Sequence, residues 1–241
     1  MNSKTTYRES KKKKNLILKV YNTLYGYFGK QNWWPAETPF EVIVGAILTQ
    51  QTSWKNVEKV ILRLKEHGLL EPRTLYNLDI QELSNYIKES GFYRLKAQRL
   101  KNFLDFFKKY NFELLDLTHI EIENLRNELL NIKGVGKETA DSIILYALEK
   151  PIFVVDNYTK RFAVRFGILE NMSSYDEIRL LFEDALKSEN EKETLIRFKE
   201  MHALIVELGK NFCKKEPNCS ACPLGNLCLK KGVENEYSKN S

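Results

Sequence analysis

Apolar positions along this chain recur at intervals of three and four. Ile61 and Leu64 make one such row, and Leu125, Leu129 and Ile132 another, the spacing of amphipathic helices. Helix punctuation surrounds these rows. Thr38-Pro39-Phe40-Glu41 offers an N-cap, a proline at the first helical position and a glutamate three residues after the cap, ahead of the apolar run VIVGAIL. Asp79-x-x-Glu82, Thr118-x-x-Glu121 and Ser174-x-x-Glu177 repeat the capping-box pattern. Gly68, Gly91 and Gly167 stand where helices should stop. No clear two-residue alternation and no Asn-Gly or Asp-Gly hairpin signal is present. The pattern predicts an all-α fold of about ten helices. Pro151 interrupts the helical pattern after Lys150 and begins a short extended stretch, PIFVV, which marks the best domain boundary. The polar tail after Lys230 is expected to be disordered.

Composition narrows the class. With 241 residues the chain is long enough for one large domain or two small ones. No apolar run approaches the roughly 18 residues that span a bilayer, and the segment after Lys11–Lys14 lacks a signal peptide's apolar stretch. A cytoplasmic location and no membrane partner are expected. The formal net charge of +6 is compatible with a polyanionic partner without establishing one. The Lys11–Lys14 run reads as a solvated, frayed end rather than a DNA-binding arm.

Residues 131–140, NIKGVGKETA, hold the most informative local pattern. A helix predicted over about His119–Asn131 meets Gly134-Val135-Gly136, and another begins near Lys137. Two glycines permit positive φ and close backbone approach, and the following helix start offers N–H groups to a phosphate oxygen. From these residues alone a plain tight αα turn is an equal alternative.

The neighbouring motifs add weight. PFEVIVGAILTQQT at 39–52, GFYRLKA at 91–97, GVGKETA at 134–140, VVDNYTKRF at 154–162 and a terminal cysteine cluster occur in that order. Over roughly residues 36–230 this resembles the helix–hairpin–helix DNA glycosylases of the endonuclease III superfamily. The resemblance implies a two-domain fold. Residues 36–150 would form a six-helix barrel with the helix–hairpin–helix. Residues 1–35 and 151–241 would form an iron–sulfur cluster domain, with the damaged base flipped between the two. It implies double-stranded DNA containing a damaged base as partner, bound by a monomer.

Asp156 falls on the family's aspartate position. A carboxylate there would stabilise the cationic sugar as the base leaves and orient a water. The same residue is also the natural N-cap of a helix starting near Asn157. In the family's bifunctional members the second residue after G-V-G is a lysine that forms a Schiff base. Here it is Glu138, and a carboxylate cannot form an imine, so a monofunctional enzyme with weak or absent AP-lyase activity is expected. Lys137, one position earlier, would face phosphate or solvent. Gly134, Val135, Gly136, Lys137 and Thr139 are the expected backbone-phosphate contacts. Gln50 and Gln51 are candidates to fill the gap left by the flipped base, with Gln50 the better aligned.

The tryptophans are Trp33, Trp34 and Trp54, and Trp33-Trp34-Pro35 precedes the barrel. Packing is the ordinary role of such residues. Their placement with Glu138 resembles the 3-methyladenine glycosylase III branch, in which Trp33, Trp34, Pro35 and Trp54 would line an aromatic pocket for a cationic alkylated purine. That branch carries a pocket lysine near a H-G-K segment. The stretch read as matching, His202-Ala203-Leu204, has none, and His202 reads as a core histidine. The branch also usually lacks a cysteine tail.

Cys213, Cys219, Cys222 and Cys228 are spaced C-x5-C-x2-C-x5-C. Four thiolates suit zinc or an iron–sulfur cluster. The resemblance points to [4Fe–4S], although endonuclease III relatives usually have one more residue in the first spacer. Lys210, Lys214 and Lys215 flank Cys213 and are expected to touch phosphate, as are Arg94, Lys96, Arg99, Lys160 and Arg161. Two other readings stand: an endonuclease III-type enzyme for oxidised pyrimidines or mismatches, and a lesion-binding module that does not cut.

Overall fold

A computed structural model describes residues 3–169 and 172–233. Every regular element among the described residues is helical. The chain divides into two compact units, Trp34–Lys150 and Met1–Trp33 with Pro151–Ser241.

The 34–150 unit contains α2 (Pro39–Leu48), α3 (Trp54–Glu66), α4 (Pro72–Asn77), α5 (Ile80–Tyr86), α6 (Tyr93–Lys108), α7 (Leu114–Thr118), α8 (Ile122–Leu130) and α9 (Lys137–Ser142). α9 continues as a π-helical segment over Ile143–Ala147. Apart from Glu41, α2 is apolar on all sides, and it is buried from Phe40 to Leu48, as expected of a central helix. Thr38 caps it by accepting from the Glu41 N–H. Glu41 accepts the Glu37 N–H at 3.0 Å and pairs with Lys65 at 2.8 Å, so it serves the preceding turn.

The other unit contains α1 (Ser3–Phe28), α10 (Asn157–Phe166), α11 (Tyr175–Leu186) and α12 (Glu191–Asn211). α1 packs on α11 and α12 through Ile17, Val20 and Leu24, all fully buried. Lys11–Lys14 belong to this helix and Lys14 pairs with Asp184, so the expected frayed end is ordered helix. Residues 152–155 of the PIFVV stretch are buried and form neither helix nor strand. Residues 234–241 of the polar tail lie outside the described residues.

Most of the expected punctuation holds. Asp79 caps α5, Ser174 forms a full capping box on α11, and Gly68, Gly91 and Gly167 take positive φ at helix ends. Thr118 is the exception. It ends α7 with its hydroxyl donating to Leu115 O, and Glu121 caps α8 instead by accepting from Asn124 N. The predicted helix over 119–131 therefore begins at Ile122.

Candidate functional site

The hairpin between α8 and α9 is built by two different glycines. Gly134 has φ +101°, which L residues avoid, and any side chain there would run into the Arg99 Cγ and Cδ. Gly136 has φ −96° and nothing within 4 Å of a would-be Cβ, so the protein's own packing does not require it. Its exposed backbone is open to a close external approach. Val135 is buried beneath the turn, while Gly136, Lys137 and Glu138 are exposed and Thr139 is buried. Behind the hairpin, Arg126 on α8 donates to both carboxylate oxygens of Asp141 on α9, at 2.6 and 3.2 Å. That buried fork fixes the two helices against each other.

The two glutamines after α2 behave differently. The Gln50 amide donates to Gly134 O at 3.0 Å and to Thr139 Oγ1 at 2.9 Å, and its Oε1 accepts from Arg99. It braces the hairpin from the end of α2. Gln51 is exposed with φ +56°, in the turn between α2 and α3. The preference for Gln50 as the gap-filling side chain thus meets an amide already committed inside the unit.

Trp34, Trp54 and Tyr146 converge on α2. The Trp34 ring meets Trp54 edge-on with centroids 5.4 Å apart, and Tyr146 of the π-helical segment is also 5.4 Å from Trp34. Gly45 is the floor, where even a methyl would touch both tryptophans at 3.4 Å. Gly45 and Tyr146 were not singled out by the sequence pattern, because both look like ordinary residues of buried helices. Pro35 is exposed.

Trp33 belongs to the other unit. Its backbone approach is fixed by the buried Glu200 on α12, which accepts the Gln31 N–H at 2.8 Å and the Asn32 N–H at 3.2 Å. Its ring lies 5.3 Å from the His202 ring, and the Lys210 ammonium is 5.9 Å from its centroid. A lysine thus stands beside Trp33, although the stretch His202-Ala203-Leu204 has none: Lys210 follows Gly209, two turns along α12 from His202. Any side chain at Gly209 would overlap the Tyr158 ring on α10, so this glycine lets the two helices meet.

Asp156 caps α10. Its Oδ1 accepts from Thr159 N at 2.7 Å and from Thr159 Oγ1 at 2.8 Å. Its Oδ2 lies 3.6 Å from His202 Nε2. Burial pushes this carboxyl up, but His202 and the two Thr159 donors outweigh it and hold Asp156 below the ordinary value. The result is an oriented carboxylate that stays ionised.

The four cysteines follow α12 and line one cavity with Phe162, Phe166, Leu208 and Leu224. Arg165 Nη1 donates to Cys213 Sγ, and Lys230 N donates to Cys228 Sγ, each at 3.4 Å. Burial raises Cys222 and Cys228 above the ordinary thiol value, with the neighbouring thiols adding to it. Among the described residues, no group of three or more His, Cys, Asp or Glu side chains is arranged to hold a metal ion.

The basic residues separate into roles. Lys96 is corrected to an interior residue: it is 1% exposed, and its ammonium donates to Leu48 O and Ser90 O. Burial, with help from the Arg99 charge, lowers its pKa to about 8. Arg161 donates to Cys213 O at 2.8 Å, and Arg165 to the Lys214 and Lys215 carbonyls, which braces the cysteine loop. Arg94, Lys160, Lys210, Lys214 and Lys215 are exposed. No helix among the described residues is long and apolar enough to cross a membrane.

Comparison with known proteins agrees with this arrangement. Residues 44–188 match the model of the HhH-GPD superfamily base excision DNA repair proteins. The chain is 51% identical over 218 residues to a Methanocaldococcus jannaschii protein named "Putative DNA repair glycosylase MJ1434", covering 90% of this chain and 97% of that one. It is 30% identical over 192 residues to endonuclease III of Thermotoga maritima, covering 79% and 82%. Among solved structures, H. pylori 3-methyladenine DNA glycosylase (MagIII) bound to 1,N6-ethenoadenine superposes with a TM-score of 0.72 at 29% identity, over 80% of this chain and 97% of that one. A non-covalent endonuclease III–DNA complex gives 0.76 at 25% identity, over 90% and 95%. The chain belongs to the HhH-GPD superfamily of base excision DNA repair proteins and is a DNA glycosylase with an endonuclease III-like fold.

Proposed function

We propose that this chain is a monofunctional glycosylase that hydrolyses an alkylated purine, such as 3-methyladenine, from duplex DNA. The Trp34–Trp54–Tyr146 cluster on Gly45 carries the substrate reading. An alkylated purine is cationic, and electron-rich ring faces attract it by about 0.5–2 kcal/mol each. The similarity to an enzyme holding 1,N6-ethenoadenine, a modified adenine, supports the same class.

Asp156 supplies the chemistry. As the base leaves with the bonding electron pair, C1′ becomes cationic, and the ionised carboxylate stabilises it. Water adds its oxygen to C1′ and passes a proton to Asp156, leaving an abasic sugar and free base. Glu138 occupies the place where an imine-forming lysine would stand, which supports water as the nucleophile. The hairpin backbone at Gly134, Val135, Gly136, Lys137 and Thr139 would hold phosphate. Gln51 fits the gap-filling role better than Gln50, whose amide is internal.

Cys213, Cys219, Cys222 and Cys228 would hold a [4Fe–4S] cluster. Four thiols around an apolar cavity, with N–H donors on two of the sulfurs, suit that group. When bound, it would cross-link four points of the loop after α12.

The test pairs wild type with Asp156→Asn. Asparagine is an equally good N-cap, so the variant folds, and its base release falls at least a hundredfold. Near-wild-type turnover in the variant would leave the chain a lesion binder. A strong borohydride-trapped adduct with wild type would overturn the monofunctional reading.

A further inference from the structure

We propose that His202 is a positioning residue for Asp156, holding the second carboxylate oxygen on one side and seating Trp33 on the other. This rests on the role just given to Asp156. The two carboxylate oxygens have different partners. Oδ1 is fully served by Thr159 within α10, and Oδ2 faces His202 Nε2 at 3.6 Å. Thr159 holds the carboxylate through its first oxygen, and the buried imidazole from α12 is the neighbour of the second. His202 is only 4% exposed, and its ring packs at 5.3 Å against Trp33.

The other charged groups nearby are committed elsewhere. On α12, Glu200 accepts from Gln31 and Asn32, and Glu207 is held by Lys210 and Asn211. From α11, the Tyr175 hydroxyl accepts the Val155 N–H. His202 is the neighbour that lowers Asp156 most, against a burial effect that would otherwise raise the carboxyl. The sign follows. Without His202, burial is opposed by Thr159 alone, Asp156 takes up a proton at higher pH, and a protonated acid neither stabilises a cation nor accepts a proton from water. Loss of His202 therefore cuts activity at the acid end first.

Two measurements test this on the full-length protein. The first needs no substrate. The Asp156 carboxyl is titrated by carbon NMR in wild type and in His202→Gln. The expected result is a higher midpoint in the variant, since the group that opposes burial is gone. An unchanged midpoint overturns the proposal and makes His202 a packing residue under Trp33. The second is single-turnover release of methylated bases by wild type and His202→Gln between pH 5 and 8. The variant's acid limb moves to higher pH, with melting temperature retained. Superimposable pH profiles overturn the proposal. A wild type that releases no methylated base overturns the substrate reading instead, and the Asp156 titration then decides the contact by itself.

Discussion

Arg126→Met is the substitution whose cost can best be worked from the structure. The Arg126 and Asp141 side chains are 7% and 0% exposed and share two hydrogen bonds. Methionine fills the volume but removes the fork from a carboxylate that stays buried. Breaking one side of such a pair costs about 3–5 kcal/mol, a large share of the roughly 5–15 kcal/mol that stabilises a typical protein. For a chain of this size each kcal/mol moves the melting temperature by roughly 2–4 °C, so a fall of about 10 °C is expected. Replacing both partners, Arg126→Met with Asp141→Leu, should recover most of the loss, because no buried charge remains. Urea unfolding and thermal melting followed by circular dichroism read both effects. A single variant within about 1 kcal/mol of wild type would refute the reasoning, and so would a double variant no better than the single.

Further outcomes follow from other sites. Gln51→Ala should slow base release while leaving stability near wild type. Gln50→Ala should lower the melting temperature, because it frees the hairpin from α2; the reverse assignment of effects would contradict the geometry. Lys96 titrates at about 8 in the folded chain, against an ordinary value of 10.5. Between those values the unfolded chain binds more protons, so this residue makes stability rise with pH there. Lys96→Met should flatten that rise in urea titrations at pH 8 and 10, and an unchanged slope would show the amine to be unperturbed. Protein purified without oxygen should carry four irons and absorb in the visible, and Cys219→Ala should lose both. One stoichiometric zinc in a colourless protein would replace the cluster reading.

Local rules carried much of the fold. Asp79, Ser174 and Asp156 cap helices because a short polar side chain before a helical run finds the free N–H groups within its own turn. Thr118 fits the same pattern and fails, because its hydroxyl bonds back to Leu115 O and Glu121 captures the α8 start. Longer-range facts were less legible. Nothing local marks Lys96 as buried, since its acceptors come from Leu48 and Ser90. Gln50 and Gln51 are identical in type and adjacent, and only the turn after α2 separates an internal brace from an exposed side chain. His202 is buried as its sequence context suggests, but its neighbours Trp33 and Asp156 are distant in sequence. Gly209-Lys210 was readable in principle, as a glycine-lysine pair just ahead of Cys213.

The central claim is the alkylated-purine substrate, and free-base analysis tests it most directly. Wild-type protein is incubated with methylated duplex DNA and, in parallel, with oxidised duplex DNA, and released bases are identified by mass spectrometry. Release of 3-methyladenine or 7-methylguanine, lost in Asp156→Asn, is the predicted result. Release of oxidised pyrimidines alone would contradict the account, leaving the tryptophan cluster as packing and the chain an endonuclease III-type enzyme.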